Sequence, residues 1–238
     1  MNRDKPILSI ETSEILCGAC VYFNDDKYFE ASIHFKNIHA EKLFETIDYV
    51  IKTSGIETNE LGSIAVSAGP GSFTGLRIGM SAAKGIAFGL SLPIIPVPTF
   101  EALALQISPQ LPPGTTFVIA NKVNMEEIYF AKFQVNSNLL DKANNYIFVE
   151  KLKIINSSEF KDFSKDCITF GNVNMESNGK NAGQQVSLHS GLTALAAPSP
   201  VYVAKWGSLF GAELLTTNYD YLEPDYLKNF IIKERKNV

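Results

Sequence analysis

At 238 residues with a formal net charge of -4, the chain has room for one large or two modest domains and has no overall electrostatic pull toward nucleic acid. Its 45% hydrophobic and 19% charged content describes an ordinary soluble globular protein with ample core. The three cysteines (Cys17, Cys20, Cys167) are too few and too scattered for a disulfide framework, and Cys17-Gly18-Ala19-Cys20 lies in an apolar run rather than at a helix start, which argues against redox chemistry.

The first residues, Met1 to Pro6, lead straight into a strand pattern with no signal peptide, so a cytoplasmic location is expected. Ile7 to Ile10 reads as a strand, Cys17 to Phe23 as a second, and Tyr28 to Phe35 as a third after the turn cluster Asn24-Asp25-Asp26-Lys27. A helix follows from Ile38 to Ser54, with Leu43, Ile47, Val50 and Ile51 on one face and Gly55 as its stop. Next come a strand near Ile64, a glycine-rich helix to about Leu90, a strand at Ile94 to Val97, and a short helix from Thr99. The most apolar stretch, Ile86 to Val97, is broken by Pro93 and Pro96 and is too short to cross a bilayer.

Turn formers from Ser108 to Gly114 mark a boundary between domains 1–107 and 108–238. Beyond it, strands are expected at Thr116 to Ala120, Glu127 to Val135 and Tyr146 to Val149, then a helix at Ser157 to Phe163 and a strand at Ile168 to Phe170. An exposed loop (Gly179 to Ser190), a final helix (Tyr202 to Leu215) and a frayed basic tail (Lys228 to Val238) complete the reading. Both halves open with three closely spaced strands before helices, the pattern of a duplicated α/β unit.

The most informative stretch is Ser67 to Gly79, a strand end, a glycine-rich turn and a helix start. Such a place binds anions through free N–H groups and the helix dipole, or lets two backbones approach closely. A P-loop needs Gly, four residues, Gly, then Lys and Ser or Thr. Here Gly71 and Gly75 are too close together and Leu76-Arg77 stands where Lys-Ser would be. The dinucleotide fingerprint fails as well, in glycine spacing and in its place well past the first strand. The packing use fits more residues: Gly75, Gly79, Ala82, Ala83 and Ala87 make one bare helix side, flanked by Leu76, Met80 and Ile86. That side faces either the chain's own interior or another protein.

The three histidines (His34, His39, His189) do not form the i, i+4 pair a helical metal site requires, because Leu43 stands four residues after His39. No metal site is expected. Hydroxyls are plentiful, but none has a base at a meaningful spacing. Ser72 reads as a helix N-cap. Glu11-Thr12-Ser13, after the first strand, lies where actin-like folds bring an acid and hydroxyls toward nucleotide phosphate, so these three residues are the candidate nucleotide site.

Ile7 to Ser13, Ile38 to Leu43 and Gly69 to Gly79 together resemble the TsaB (YeaZ) family, the dimerization subunit of the bacterial complex that makes threonylcarbamoyladenosine beside the tRNA anticodon. The resemblance covers about Pro6 to Leu105. It implies an actin-like (ASKHA) α/β fold of two ribonuclease-H-like subdomains, each a mixed sheet flanked by helices. It further implies a non-catalytic scaffold that binds a TsaD-type catalytic subunit, works with a TsaE-type ATPase, meets tRNA through the complex, touches no membrane, and forms a homodimer when alone. The partner surface would comprise His39, Leu43, Ile47, Ser72, Phe73, Gly75, Leu76, Arg77, Gly79, Met80 and Ala83, so Gly79→Arg should block pairing without unfolding the chain. Catalytic relatives carry two metal-binding histidines where this chain has His39 and Leu43. No cofactor is therefore expected on this chain, and any ATP or metal would belong to the partner or the joint interface. Two departures stand out: Glu11 replaces the usual Asp, and Lys122-Val123-Asn124 replaces Asp-Ala-Arg ahead of a retained Glu127-Ile128-Tyr129.

The rival reading is a nucleotide-dependent phosphotransferase or ATPase using Glu11, Thr12 and Ser72. A third is direct tRNA contact through Lys228, Lys233, Arg235 and Lys236.

Overall fold

The computed structural model describes residues 5–137, 145–173 and 195–227. The first sheet holds β1 (Ile7–Glu11), β2 (Leu16–Asn24), β3 (Lys27–His34), β4 (Ser63–Gly69) and β5 (Ile94–Pro98), in the order β3-β2-β1-β4-β5. Strands β1, β2 and β3 form antiparallel hairpins, whereas β4 and β5 run parallel to β1. Parallel neighbours need crossovers. Helices α1 (His39–Ser54) and α2 (Phe73–Leu90) provide them. Gly55, at φ 73°, ends α1 in the left-handed conformation that glycine adopts without steric cost.

The second sheet, β6 (Thr116–Lys122), β7 (Glu127–Val135), β8 (Tyr146–Asn156) and β9 (Ile168–Gly171), has the order β8-β7-β6-β9. Its pairing, two antiparallel neighbours and then a parallel one, repeats β3-β2-β1-β4. Topology therefore carries the duplication that side-chain identity obscures.

Alternate residues of each central strand point to opposite faces, so each strand feeds two cores. Leu8, Ile10, Val21, Ile64, Val66 and Ile94 pack with α1 and α2. Their neighbours Ile7, Cys20, Ala65, Ile95 and Val97 pack with α3 (Thr99–Ile107) and α5 (Pro200–Phe210). Phe117, Ile119 and Phe133 of the second sheet join that same core. Beyond it, Val118, Ala120, Ile128 and Phe130 pack against α4 (Phe160–Phe163). The order of layers is α1/α2, first sheet, α3/α5, second sheet, α4, which leaves α1 and α2 on an outer face.

Helix α5, late in the sequence, is seated on the first sheet. The Ser9 hydroxyl donates to the Pro200 carbonyl at 2.6 Å, and a Cβ at Gly18 would strike the Pro200 ring. The final helix was expected to run to Leu215 but stops at Phe210. Gly211 then presses on Ile95, where a side chain would collide, and a 3-10 turn (Gly211–Leu214) follows. Similarly, β8 stays paired with β7 as far as Asn156, so the expected helix at Ser157 to Phe163 is shortened to a single turn. Residues 216–227 form a strap back across the first half. Thr216 pairs with Ile94, the Tyr219 hydroxyl donates to the Leu92 carbonyl at 2.6 Å, and the Asp225 N–H donates to the Ala68 carbonyl at 2.7 Å. Among the described residues no helix is long and apolar enough to cross a membrane. His189, the Gly179 to Ser190 loop and the basic tail lie outside the described residues.

Candidate functional site

The glycine-rich turn and the turn after β1 are built against each other. A Cβ at Gly71 would meet the Ser13 carbonyl oxygen, one at Gly75 the Thr12 carbonyl oxygen, and one at Gly79 the Thr12 hydroxyl. Thr12 Oγ1 donates to the Gly75 carbonyl at 2.8 Å, and the Ser72 N–H donates to the Ser13 carbonyl at 2.5 Å. Ser72 Oγ in turn accepts from the Gly75 N–H at 3.3 Å, the N-cap bond expected of it. Carbonyl oxygens of the chain's own turn thus lie against the positive end of α2. The motif's glycines serve close approach inside the chain.

Behind this contact lie two acids. Glu11 is fully buried; its carboxylate accepts from the Ser13 N–H at 2.5 Å and from the hydroxyls of Ser13 and Ser67. Burial outweighs those bonds and pushes its carboxyl up to about 7. Glu14 is pushed up to about 8, by burial first and by the nearby Glu11 charge, although it accepts from Asn172 Nδ2 at 3.1 Å. The Glu14–Asn172 bond ties the β1–β2 turn to the end of β9, bridging the two sheets. Of the nucleotide candidates, Glu11, Thr12 and Ser13 are all buried with their side chains engaged internally.

Most residues expected at the partner surface face inward. Leu43, Ile47, Met80 and Ala83 belong to the core under α1 and α2, Leu76 is fully buried, and Gly75 and Gly79 abut Thr12. The correction has a simple cause. The bare and apolar stripe of each helix is what the first sheet needs, and the bulk of Thr12 fills the gap the glycines leave. An arginine at Gly79 would therefore disrupt the fold itself, contrary to expectation. Ser72, Phe73 and Arg77 are the members of that set that reach the surface. Arg77 places its guanidinium 4.0 Å above the Phe73 ring, and its Nε donates to Tyr226 Oη at 3.0 Å.

His39 is buried, with Nε2 3.1 Å from the Leu16 carbonyl oxygen. With Leu43 in the core one turn later, the residues present do not fit the paired-histidine metal site of catalytic relatives. No group of three or more His, Cys, Asp or Glu with metal-site geometry occurs among the described residues. In the second half, Asn124 caps the β6–β7 hairpin: its Oδ1 accepts from the N–H groups of Glu126 and Glu127 at 2.8 and 3.0 Å. Tyr129 Oη donates to the Tyr226 carbonyl at 3.3 Å, joining that hairpin to the strap.

What lies outward on α1 and α2 is a different set. Phe44 and Tyr49 are each 60% exposed and Phe88 is 77% exposed. Gly85 and Gly89 sit where an added side chain would meet open space. Beside them an open groove of about 630 Å³ runs between α2 and the strap, lined by Lys84, Gly85, Phe88 and residues 217–220. On α2 a large aromatic stands beside bare backbone, and α1 exposes two more large aromatics; exposed apolar surface of this kind is a recognised mark of an interaction surface. The sequence carried a signal for them: Phe44 and Phe88 fall one residue after the core positions Leu43 and Ala87, off the apolar stripe.

Comparison with known proteins bears on these findings. The family model described as TsaD, tRNA N6-adenosine threonylcarbamoyltransferase, matches residues 34–200. "tRNA threonylcarbamoyladenosine biosynthesis protein TsaB" of Escherichia coli (strain K12) is 27% identical over 230 residues, covering 94% of each chain. The protein of that name from Haemophilus influenzae is 32% identical over 126 residues, covering 53% of this chain and 52% of the relative, so the chain spans about half the length of that relative. A crystal structure titled as an uncharacterized protein with similarity to peptidase YeaZ, from Pseudomonas aeruginosa, superposes with a TM-score of 0.68 at 16% identity, covering 94% of this chain and 100% of that one. The shared fold is the actin-like one, two mixed α/β sheets flanked by helices. With residues 34–200 matched to the threonylcarbamoyltransferase model and TsaB proteins among its relatives, the chain belongs to the TsaB (YeaZ) family.

Proposed function

We propose that this chain is a non-catalytic, partner-binding subunit in the making of threonylcarbamoyladenosine on the adenosine beside the tRNA anticodon. The relatives named as tRNA threonylcarbamoyladenosine biosynthesis proteins support the pathway. The scaffold role rests on one observation: α2 exposes Phe88 beside Gly85, and the neighbouring α1 exposes Phe44 and Tyr49. Aromatic anchors beside bare backbone are the ingredients of a packed protein interface. The partner is a TsaD-type catalytic subunit. It belongs to the family this chain matches, so it carries an equivalent pair of helices, and two related faces can meet about an approximate two-fold axis.

In this reading the chain contributes shape rather than chemistry. His39 and Leu43 cannot supply a metal pair, and Glu11, Thr12 and Ser13 are engaged within the fold. Any nucleotide or metal used in the transfer is held by the partner or at the joint surface. A TsaE-type ATPase and the tRNA itself join through the complex.

Co-elution of purified chain with the TsaD-type subunit tests this. Phe88→Asp should weaken association at least about tenfold, or about 1.4 kcal/mol, with an unchanged circular dichroism spectrum. Undiminished co-elution of the variant overturns the surface. If Phe88→Asp abolishes a homodimer while the heteromeric complex persists, the face belongs to self-association instead. Calorimetry with ATP and magnesium checks the remainder: tight binding by the isolated chain would favour the phosphotransferase reading.

A further inference from the structure

We propose that the aromatic pocket between α3, α5 and β8 is a binding site for a small organic cation carrying an alkylammonium or guanidinium group. The pocket has a volume of about 380 Å³ and is lined by Glu101, Tyr146, Ile147, Phe148, Trp206 and Phe210. That volume suits a small molecule. Nothing in this assignment uses α1 or α2, so it stands apart from the partner-binding reading.

The lining sets the ligand's charge. Tyr146 Oη donates to Glu101 Oε2 at 3.0 Å, and Trp206 Nε1 donates to Tyr146 Oη at 3.1 Å. This chain of donors fixes the carboxylate at the pocket wall. Among the described residues no lysine or arginine stands within ion-pair distance of it, because the pairs formed involve other acids. Burial accordingly pushes the Glu101 carboxyl above the usual carboxylate range. A bound cation supplies the missing counter-charge.

The rings set its polarity. Trp206 packs on Phe210 with ring centroids 5.5 Å apart, and Tyr146 packs edge-on to Phe148 at 6.3 Å, so two aromatic pairs form the walls. Four aromatic side chains around one carboxylate attract a weakly hydrated cation through the ring faces. An inorganic ion would leave that apolar wall unused, and a neutral ligand would leave the carboxylate unbalanced. Ile147 and Phe148 are exposed, so the mouth is open to entry.

Trp206 is the only tryptophan in the chain, so its emission reports on the pocket directly. Full-length protein is titrated with choline, with methylguanidine, and with dimethylbutanol, the uncharged carbon isostere of choline. At least one cation should give a saturable change, with the isostere about tenfold weaker or worse. Glu101→Gln should lose binding by about the same factor, and Phe148→Leu, which keeps the carboxylate and removes a ring, should weaken it about fivefold. No saturable change with either cation, equal binding of choline and its isostere, or undiminished binding in Glu101→Gln each overturns the proposal. Should Glu101→Gln fail to fold by circular dichroism, the isostere comparison and Phe148→Leu decide it.

Discussion

Thr12 and Gly75 lock the two turns of the first half together: the Thr12 hydroxyl donates to the Gly75 carbonyl at 2.8 Å, while the Thr12 carbonyl occupies the space a Gly75 side chain would need. Two of the glycines in α2 therefore answer to opposite demands. Gly75 is required by its surroundings, and Gly85 faces nothing.

Gly75→Ala forces the backbone of the β1–β2 turn to move and should destabilise the chain by about 2 kcal/mol, as overpacking does. Gly85→Ala meets no neighbour and should stabilise the chain by up to about 1 kcal/mol through helix propensity. Urea denaturation of both variants checks the pair. Equal shifts in midpoint would remove the distinction between inner and outer glycines.

The buried acids make stability depend on pH. Glu11 and Glu14 have their carboxyls raised from an ordinary value of 4.5 to about 7 and about 8. Across that interval the folded chain holds protons that the unfolded chain has released. Stability contributed by these groups is thus present in full below about pH 4.5 and declines as pH rises toward 7 and 8, at about 1.4 kcal/mol per pH unit for each group that differs fully. The urea midpoint should be higher at pH 5.5 than at pH 8. Glu11→Gln should flatten the difference, and an unchanged slope would show that Glu11 does not carry it.

Leu43→His restores the histidine spacing of the catalytic relatives but should not create a metal site. Position 43 faces the core, and His39 already has Nε2 at the Leu16 carbonyl. The variant should lose about 2 kcal/mol or more of stability from burying a polar ring. Calorimetry with zinc should detect no new binding. Zinc uptake with retained stability would mean that α1 can rotate its stripe outward.

The strands and the helices of the first half were legible in the sequence because short apolar runs around Leu8, Val21 and Ile64 are bounded by turn formers, and Leu43, Ile47 and Val50 repeat at helical spacing; the order of the strands in the sheet was not. Glycine spacing likewise revealed that some backbone comes close to α2. It could not say whose, since Thr12 lies sixty-three positions before Gly75. The error at the partner surface has the same origin. A stripe of small and apolar residues marks contact, and contact with one's own sheet looks the same in sequence as contact with a stranger. Phe44 and Phe88, large aromatics off the stripe, are residues of these helices that do reach the surface. The Glu101 pocket draws its walls from three distant segments, so no local pattern announced it.

The shared α3/α5 layer has a consequence for biosynthesis. Helix α5 covers β1 and β2, yet the ribosome delivers it almost two hundred residues after them. Until Pro200 reaches the Ser9 hydroxyl and lies over Gly18, the β1 and β2 part of that side of the sheet stays uncovered in the nascent polypeptide. The first half is complete only when the last is made, so a prematurely terminated product should be a client for chaperones and proteases rather than a working half-molecule.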